Sequence, residues 1–346
     1  MTQPIKVLLF GAGARGADAY APYALQHPDE LQFVGVAEPN LARRERFALA
    51  YNIPPERCFE TWQQAIHAGK IADVVFNCTQ DQMHFKSSMA ALKLGYDLLL
   101  EKPMCTNLAD TVTLVKTAEK LGRTLQICHV LRYTDFFNKV YEIVRSGDLG
   151  QIITVSHREN VSSWHMAHSY VRGNWRSLEE SSPMILAKCC HDLDFLYWLM
   201  GEPVATLSST GNLRHYRPEY APEGAPLRCT DGCPEAGKCP FYAPAIYLDL
   251  LPFKHSLSHS HSKLYRNIGK LALNHPKLLL TLGKLIPALR SLTEYSGWPR
   301  SVITDNPASD EAVVEALLTG PYGRCVYHCD NDVVDHQVVA MTFESG

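Results

Sequence analysis

Three glycines and an acid carry the first chemical signal in this sequence. In "KVLLFGAGARGADAY", Gly11, Gly13 and Gly16 stand in the spacing G-x-G-x-x-G, with Ala14 and Arg15 between the last two. They follow an apolar run that reads as a strand and open a stretch that reads as a helix. The first glycine permits a tight turn, and the second lets the backbone approach a pyrophosphate. The third allows close packing of helix on strand, while the helix N-terminus attracts negative charge. Glu38 lies 22 residues beyond Gly16, at the end of the next apolar run. A carboxylate there accepts hydrogen bonds from adenosine ribose hydroxyls and repels a 2′-phosphate, so the pattern points to NAD over NADP. Arg43 and Arg44 are close enough in sequence to keep NADP open. The competing explanation is a glycine-rich turn in some other α/β protein, which the flanking strand, helix and acid argue against.

A second signal is "LLLEKPMCTN", where a buried-looking strand runs straight into Glu101, Lys102 and Pro103. Lys and Glu are almost never fully buried unless paired. In open α/β sheets the ligand lies outside the carboxyl ends of the strands. Lys102 at such an end could face a nicotinamide and its substrate, with Glu101 beside it. Pro103 would fix the turn, and the cis form is open to it. The alternative is a solvated loop, which composition alone does not exclude.

The third signal is sulfur. There are eleven cysteines, and the N-terminal sequence shows no export signal, so they read as reduced thiols or metal ligands in a cytoplasmic protein. "RCTDGCPEAGKCPFY" spaces Cys229, Cys233 and Cys239 as C-x3-C-x5-C, and "RCVYHCDND" adds Cys325 and Cys329. Thiolates suit zinc, which wants four ligands, or an iron–sulfur cluster. Three from the first segment plus Cys325, Cys329 or a histidine such as His215 would complete a zinc set. Buried free thiols are the competing explanation. His255, His259 and His261 in "HSLSHSHS" could bind metal too, but read more simply as a solvated polar stretch.

These groups need a scaffold. At 346 residues the chain is long enough for two domains, and 46% hydrophobic with 20% charged content is that of a soluble globular protein. A net charge of −3 gives no field that implies nucleic acid or an acidic membrane as partner. No stretch approaches the roughly 18 apolar residues of a membrane span. Up to about residue 128, short apolar runs alternate with helical stretches, the rhythm of a doubly wound parallel sheet. Beyond, "GQIITVSHREN" and "VVDHQVVAMTFESG" alternate in period two, as half-buried antiparallel strands do. Between them "SSPMILAKCCHDLDFLYWLMG" reads as a helix closed by Gly201 and Pro203. The expectation is an α/β chain with a Rossmann domain at 1–128. A second, α+β domain at 129–346 would carry an open, mainly antiparallel sheet. Residues 212–300 read as an insertion, first Cys-rich, then basic and helical, with Lys254, Lys263, Arg266, Lys270, Lys277, Lys284 and Arg290 but no acid from 254 to 290.

The glycine loop, "NCTQDQMH" ending in His84, "EKP", "RYTDFFNKVYEIVRSGDLGQI" and the "HDLD" helix stand in an order that resembles the Gfo/Idh/MocA oxidoreductases. The resemblance covers most of residues 5–205. It implies sugars, inositols or glycosides as substrates, and a C-terminal sheet that binds substrate on one side and a partner subunit, in a homodimer or homotetramer, on the other. It further implies that Thr79 and His84 contact the cofactor, that Glu101 and Lys102 form the EKP pair at the nicotinamide, and that His191 is the catalytic histidine. Four residues before His191 the family often carries an Asp; here it is Ala187, followed by Lys188, and Lys188 or Asp192 could take over part of its role.

The mechanism expected is loss of a hydroxyl proton to His191, hydride transfer to the nicotinamide, and stabilisation of the developing alkoxide by Lys102. Arg132, Tyr133, His165 and Trp175 are further candidates for holding the sugar. Glycoside cleavage by transient oxidation, elimination and re-reduction is the alternative within the family. The chain stops at "AMTFESG", which reads as a turn toward another strand. An incomplete sheet with an unpaired edge is therefore expected, and a third reading is an inactive cofactor-binding module.

Overall fold

The computed structural model describes residues 3–285 and 295–346. Its described residues form two compact units. The first comprises residues up to Glu159, Leu178–Thr210 and Gln337–Gly346; the second comprises Asn160–Ser177 and Gly211–His336.

The first unit is built on a parallel sheet of six strands: β1 (Ile5–Phe10), β2 (Leu31–Ala37), β3 (Cys58–Phe59), β4 (Val74–Asn77), β5 (Asp97–Leu100) and β6 (Leu125–Ile127). Their order is β3-β2-β1-β4-β5-β6, all pairs parallel. The chain thus reverses its direction of travel across the sheet between β1 and β4, which opens a crevice at their carboxyl ends. Strand β1 shows why these runs are continuously apolar. Leu8 and Phe10 enter one core with Val75, Leu98 and Leu100, while Val7 and Leu9 enter the other with Phe33 and Val36. A strand buried on both faces has no polar side to show. The helix Leu108–Leu121 illustrates the local code: Asn107 caps it by accepting from the main-chain N–H of Asp110, and Gly122 ends it in the left-handed conformation.

The remainder of this unit carries the helices Asp135–Arg145 and Cys190–Met200, joined by a flat stack of Tyr141 on Trp198 and an edge contact of Phe137 with Phe195. Strands β7 (Val204–Asn212) and β8 (His336–Phe343) form a two-stranded antiparallel sheet. Gly201 closes the second helix in the left-handed conformation, as its sequence predicts. One strand expectation fails. Residues 152–160 join no ladder among the described residues, and Ile153 is 80% exposed. Their period-two pattern is that of a strand, but a strand exists only against a neighbour. Between this segment, the helix Cys190–Met200 and β8 lies a groove of about 600 Å³ lined by Ile152, Val155, Leu196, Val339 and Met341.

The second unit is mainly helical. Ala243, Ile246 and Tyr247 pack on Val313, Leu317 and Tyr322, with Cys229 at the edge of this core. The basic stretch forms the helices Leu251–Ser258, Lys263–Asn274 and Pro276–Leu285. Its end, with Arg290, lies outside the described residues. Among the described residues no helix is long and apolar enough to cross a membrane.

Candidate active site

The glycine loop follows β1 directly. Gly11 has φ +85°, and a Cβ there would stand 2.6 Å from the carbonyl oxygen of Cys78. A Cβ on Gly16 would collide with the carbonyl oxygen of Gly11 and the side chain of Leu9. Gly13 differs: nothing lies within 4 Å of where its Cβ would be. Two of the glycines are therefore demanded by the fold, whereas the third keeps a space open at the start of the helical turn Ala14–Tyr20. That open cradle fits the pyrophosphate of a dinucleotide.

Glu38, at the end of β2, is buried. Its Oε2 accepts from the main-chain N–H of Ala12 at 2.8 Å and its Oε1 from that of Asn40 at 3.0 Å. One carboxylate ties the loop to the strand end and keeps lone pairs for ribose hydroxyls. Arg44 turns back to donate to the carbonyl of Glu38. These residues fit NAD, and Gly11, Gly13, Gly16, Glu38 and the exposed Ala14 and Arg15 are the set that would hold it.

After β5 the Lys102–Pro103 peptide is cis. Glu101 is buried; its carboxylate accepts from the Tyr20 hydroxyl and, at 3.0 Å, from the main-chain N–H of Lys102, and Arg15 Nε stands 3.7 Å away. Burial and the Glu101 charge hold the Tyr20 hydroxyl far above its ordinary pKa. The charge at this strand end is thus partnered. His84, also buried, places Nδ1 2.7 Å from the carbonyl of Pro103 and Nε2 3.0 Å from that of Thr79, so it clips the loop after β4 to the proline turn. The Thr79 hydroxyl donates to Asn77 Oδ1 at 2.8 Å.

The same loop reaches the segment ahead of His191. Ser182 Oγ donates to Asp81 at 2.6 Å, and Gln82 donates to the carbonyls of Glu179 and Ser181. Lys102 Nζ donates to the carbonyl of Ala187 at 2.6 Å. The position where the family often carries an Asp therefore offers its backbone oxygen to the EKP lysine. Burial, and then the Lys102 charge, push the His191 imidazole down to about 3. His191 Nδ1 is buried without a hydrogen-bond partner, and the ring of His129 lies 6.5 Å away, edge-on. A neutral imidazole with an unused nitrogen beside an ammonium group is an arrangement that can take a proton and stabilise the oxyanion left behind.

The remaining candidates are placed differently. Arg132 is held in a fork by Asp194, at 2.8 and 2.7 Å, and lies over the Trp198 ring, which fixes the His191 helix instead of leaving a free cation. Tyr133 is 70% exposed and its hydroxyl accepts from Gln126. Lys188 pairs with Glu159 at 2.8 Å and Asp192 with His157, so both are committed to the 157–159 segment. His165 and Trp175 belong to the second unit, where they pack against Trp164, Tyr170 and Trp298. Tyr20 and the Ala187 carbonyl were not legible beforehand. One contact spans 81 residues, and the other uses a backbone atom that every residue has.

The cysteine expectation also changes. Among the described residues no group of three or more His, Cys, Asp or Glu side chains is arranged to hold a metal ion. Cys329 Sγ turns to the carbonyl of Cys325, and His215 packs among Tyr216, Phe241 and Tyr327.

Comparison with known proteins agrees with this geometry. Residues 5–129 match the description "Oxidoreductase family, NAD-binding Rossmann fold", and residues 142–241 match "Oxidoreductase family, C-terminal alpha/beta domain", both of the GFO_IDH_MocA family. The chain is 25% identical over 220 residues to inositol 2-dehydrogenase of Corynebacterium glutamicum, covering 62% of this chain and 61% of that one. It is 25% identical over 208 residues to D-glucoside 3-dehydrogenase of Escherichia coli, covering 58% and 56%. The first curated relatives are matched over 44% to 61% of their own lengths. Among solved structures, the WlbA dehydrogenase of Bordetella pertussis superposes with a TM-score of 0.53 at 22% identity, over 61% of this chain and 64% of that one, which supports the fold. The chain belongs to the Gfo/Idh/MocA oxidoreductase family.

Proposed function

We propose that this chain is an NAD-dependent dehydrogenase acting on a secondary hydroxyl of a cyclic polyol or sugar. The observation that carries the reading is the pairing of Lys102 with the turn that bears His191: the lysine donates to the Ala187 carbonyl, and its charge helps keep the imidazole unprotonated. The glycine loop and Glu38 would hold the dinucleotide, with Thr79, His84 and Glu101 shaping the nicotinamide end. When bound, the nicotinamide supplies the hydride acceptor. His191 takes the hydroxyl proton, and Lys102 stabilises the negative charge that develops on the substrate oxygen. Glu38, with Arg44 turned to the backbone, favours NAD over NADP. Residues 1–128 serve as the cofactor domain and residues 129–346 as the substrate domain. The β7–β8 sheet is the surface for homodimer or homotetramer assembly in a cytoplasmic enzyme.

The names of the relatives, an inositol dehydrogenase and a glucoside dehydrogenase, support a ring polyol as substrate. The test is incubation with NAD and a panel of inositols, aldoses and glucosides, following NADH and products together. We expect NADH equimolar with the oxidised ring. Release of an aglycone without net NADH would replace this with hydrolysis by transient oxidation, and binding of NAD with neither product would leave a binding module.

A further inference from the structure

The basic helices of the second unit have no part in the dehydrogenase reading. The net charge of −3 for the whole chain hides a segregation: Lys254 to Leu285 holds six Lys and Arg residues and no Asp or Glu. The stretch folds with the three successive helices Leu251–Ser258, Lys263–Asn274 and Pro276–Leu285, so the charge is gathered there with no acid of its own to pair with.

The middle helix divides into two sides. Gly269 and Ala272 are buried, and a Cβ on Gly269 would collide with the main-chain nitrogen of Ser258, so this side is pressed onto the preceding helix. On the other side Lys263, Asn267, Lys270 and Asn274 are all exposed, and their spacing of i, i+4, i+7, i+11 makes them one row. Beside it runs an aliphatic row of Leu264, Ile268 and Leu271, in which Leu264 is 66% exposed and the other two are half-buried. The next helix begins in the same way, with Lys277 exposed next to Leu278, which is 50% exposed. Lysines therefore border an aliphatic surface that the rest of the chain leaves uncovered.

A surface that complements this pattern must supply negative charge and an apolar layer together. A second copy of the chain does not, because a two-fold contact through these helices sets like charges against each other. Nucleic acid supplies phosphates, but its electrostatic binding makes no use of exposed leucines. The interface of an anionic bilayer supplies both, with phosphates at headgroup level and acyl carbon just beneath.

We propose that the helices Lys263–Asn274 and Pro276–Leu285 dock the protein on the surface of an anionic lipid bilayer, lying in the plane of the interface. Leu264, Leu271 and Leu278 enter the acyl boundary, while Lys263, Lys270 and Lys277 lay their stems along it and reach the headgroup phosphates. The attachment is peripheral and reversible, and it stands independently of the dehydrogenase reading.

The test uses the full chain in vesicle sedimentation and needs no activity. Vesicles of equimolar phosphatidylglycerol and phosphatidylcholine should carry the protein down at low salt, and phosphatidylcholine alone should bind it at least roughly tenfold more weakly. The double variant Lys263→Gln/Lys270→Gln should bind the mixed vesicles roughly 10–30-fold more weakly, as should raising the salt, since each lysine near the surface contributes about fivefold. Leu264→Ser/Leu278→Ser should also weaken binding, by roughly tenfold or more. Circular dichroism melts check that the variants fold, and if either does not, the comparison of the two vesicles with wild type decides. No sedimentation with the mixed vesicles, or equal binding to phosphatidylcholine, would overturn the proposal. Leucine variants that bind as wild type, together with tighter binding of a single-stranded oligonucleotide than of vesicles, would overturn it in favour of nucleic acid.

Discussion

Lys102 Nζ is bonded to the main-chain carbonyl of Ala187, one turn before His191. The lysine at the end of β5 and the histidine helix are thereby joined through a backbone atom. Burial lowers the His191 imidazole most, and the Lys102 charge lowers it further.

The pH dependence of turnover follows. The His191 imidazole is lowered to about 3, so it remains an unprotonated acceptor throughout the neutral range. We expect kcat/KM with NAD and the preferred polyol to show no inflection near the ordinary histidine value of about 6.5. An acid limb at that value, lost in His191→Asn, would show that the ring titrates normally.

Stability should depend on pH through His168. This ring is buried, bonded to the Tyr247 hydroxyl at 2.8 Å and stacked on Tyr322, and burial lowers it to about 3. The unfolded chain protonates it near 6.5, so between that value and about 3 the unfolded state holds the extra proton. Stability is therefore complete above 6.5 and falls as pH falls, by at most about 1.4 kcal/mol per unit from this group. Denaturant melts of wild type and His168→Gln at pH 7 and pH 5 measure it, and the variant should have the shallower slope. Equal slopes would remove His168 as the cause.

The glycine loop separates fold from binding. Gly13→Ala meets open space, so its melting should match wild type within about 0.5 kcal/mol while NAD affinity is lost. Gly16→Ala meets the Gly11 carbonyl and should destabilise by roughly 1–3 kcal/mol. Calorimetric titration beside thermal melts distinguishes the two, and a Gly13→Ala chain that still binds NAD would show that the open space is not the pyrophosphate cradle.

Glu38 both braces the loop and selects the cofactor. Glu38→Gln keeps an acceptor oxygen for only one of the Ala12 and Asn40 N–H groups and lacks the charge that opposes a 2′-phosphate. We expect the preference for NAD over NADP to narrow by about tenfold, an effect of about 1.4 kcal/mol. Competition binding of the two cofactors measures it; an unchanged ratio would move the selectivity elsewhere.

What could be read in advance was what backbone geometry imposes. Gly11 and Gly16 must be glycine because a Cβ has no room, and the apolar run of β1 must be continuous because both its faces are covered. Lys102 was conspicuous because a charge after three leucines needs a reason. Side-chain partners across long sequence gaps were hidden: nothing in "RY" announces that Arg132 is claimed by Asp194, and nothing around His84 announces carbonyls on both sides of its ring. The segment 152–160 misled because period two records a strand's faces but not its neighbour. Nor did the sequence announce the ring neighbours of His165 and Trp175, both half-buried against Trp298 and Tyr170 respectively.

The shared action of Lys102 and His191 on one hydroxyl is tested most directly by a double-mutant cycle. NAD binding and turnover would be measured for Lys102→Met, His191→Asn and the pair. We expect NAD affinity to stay close to wild type and each single variant to lose roughly 10²–10³ in turnover, with the double variant little worse than either. Near-normal turnover in a single variant, or losses that multiply in the double, would mean that the two side chains do not serve the same reacting oxygen.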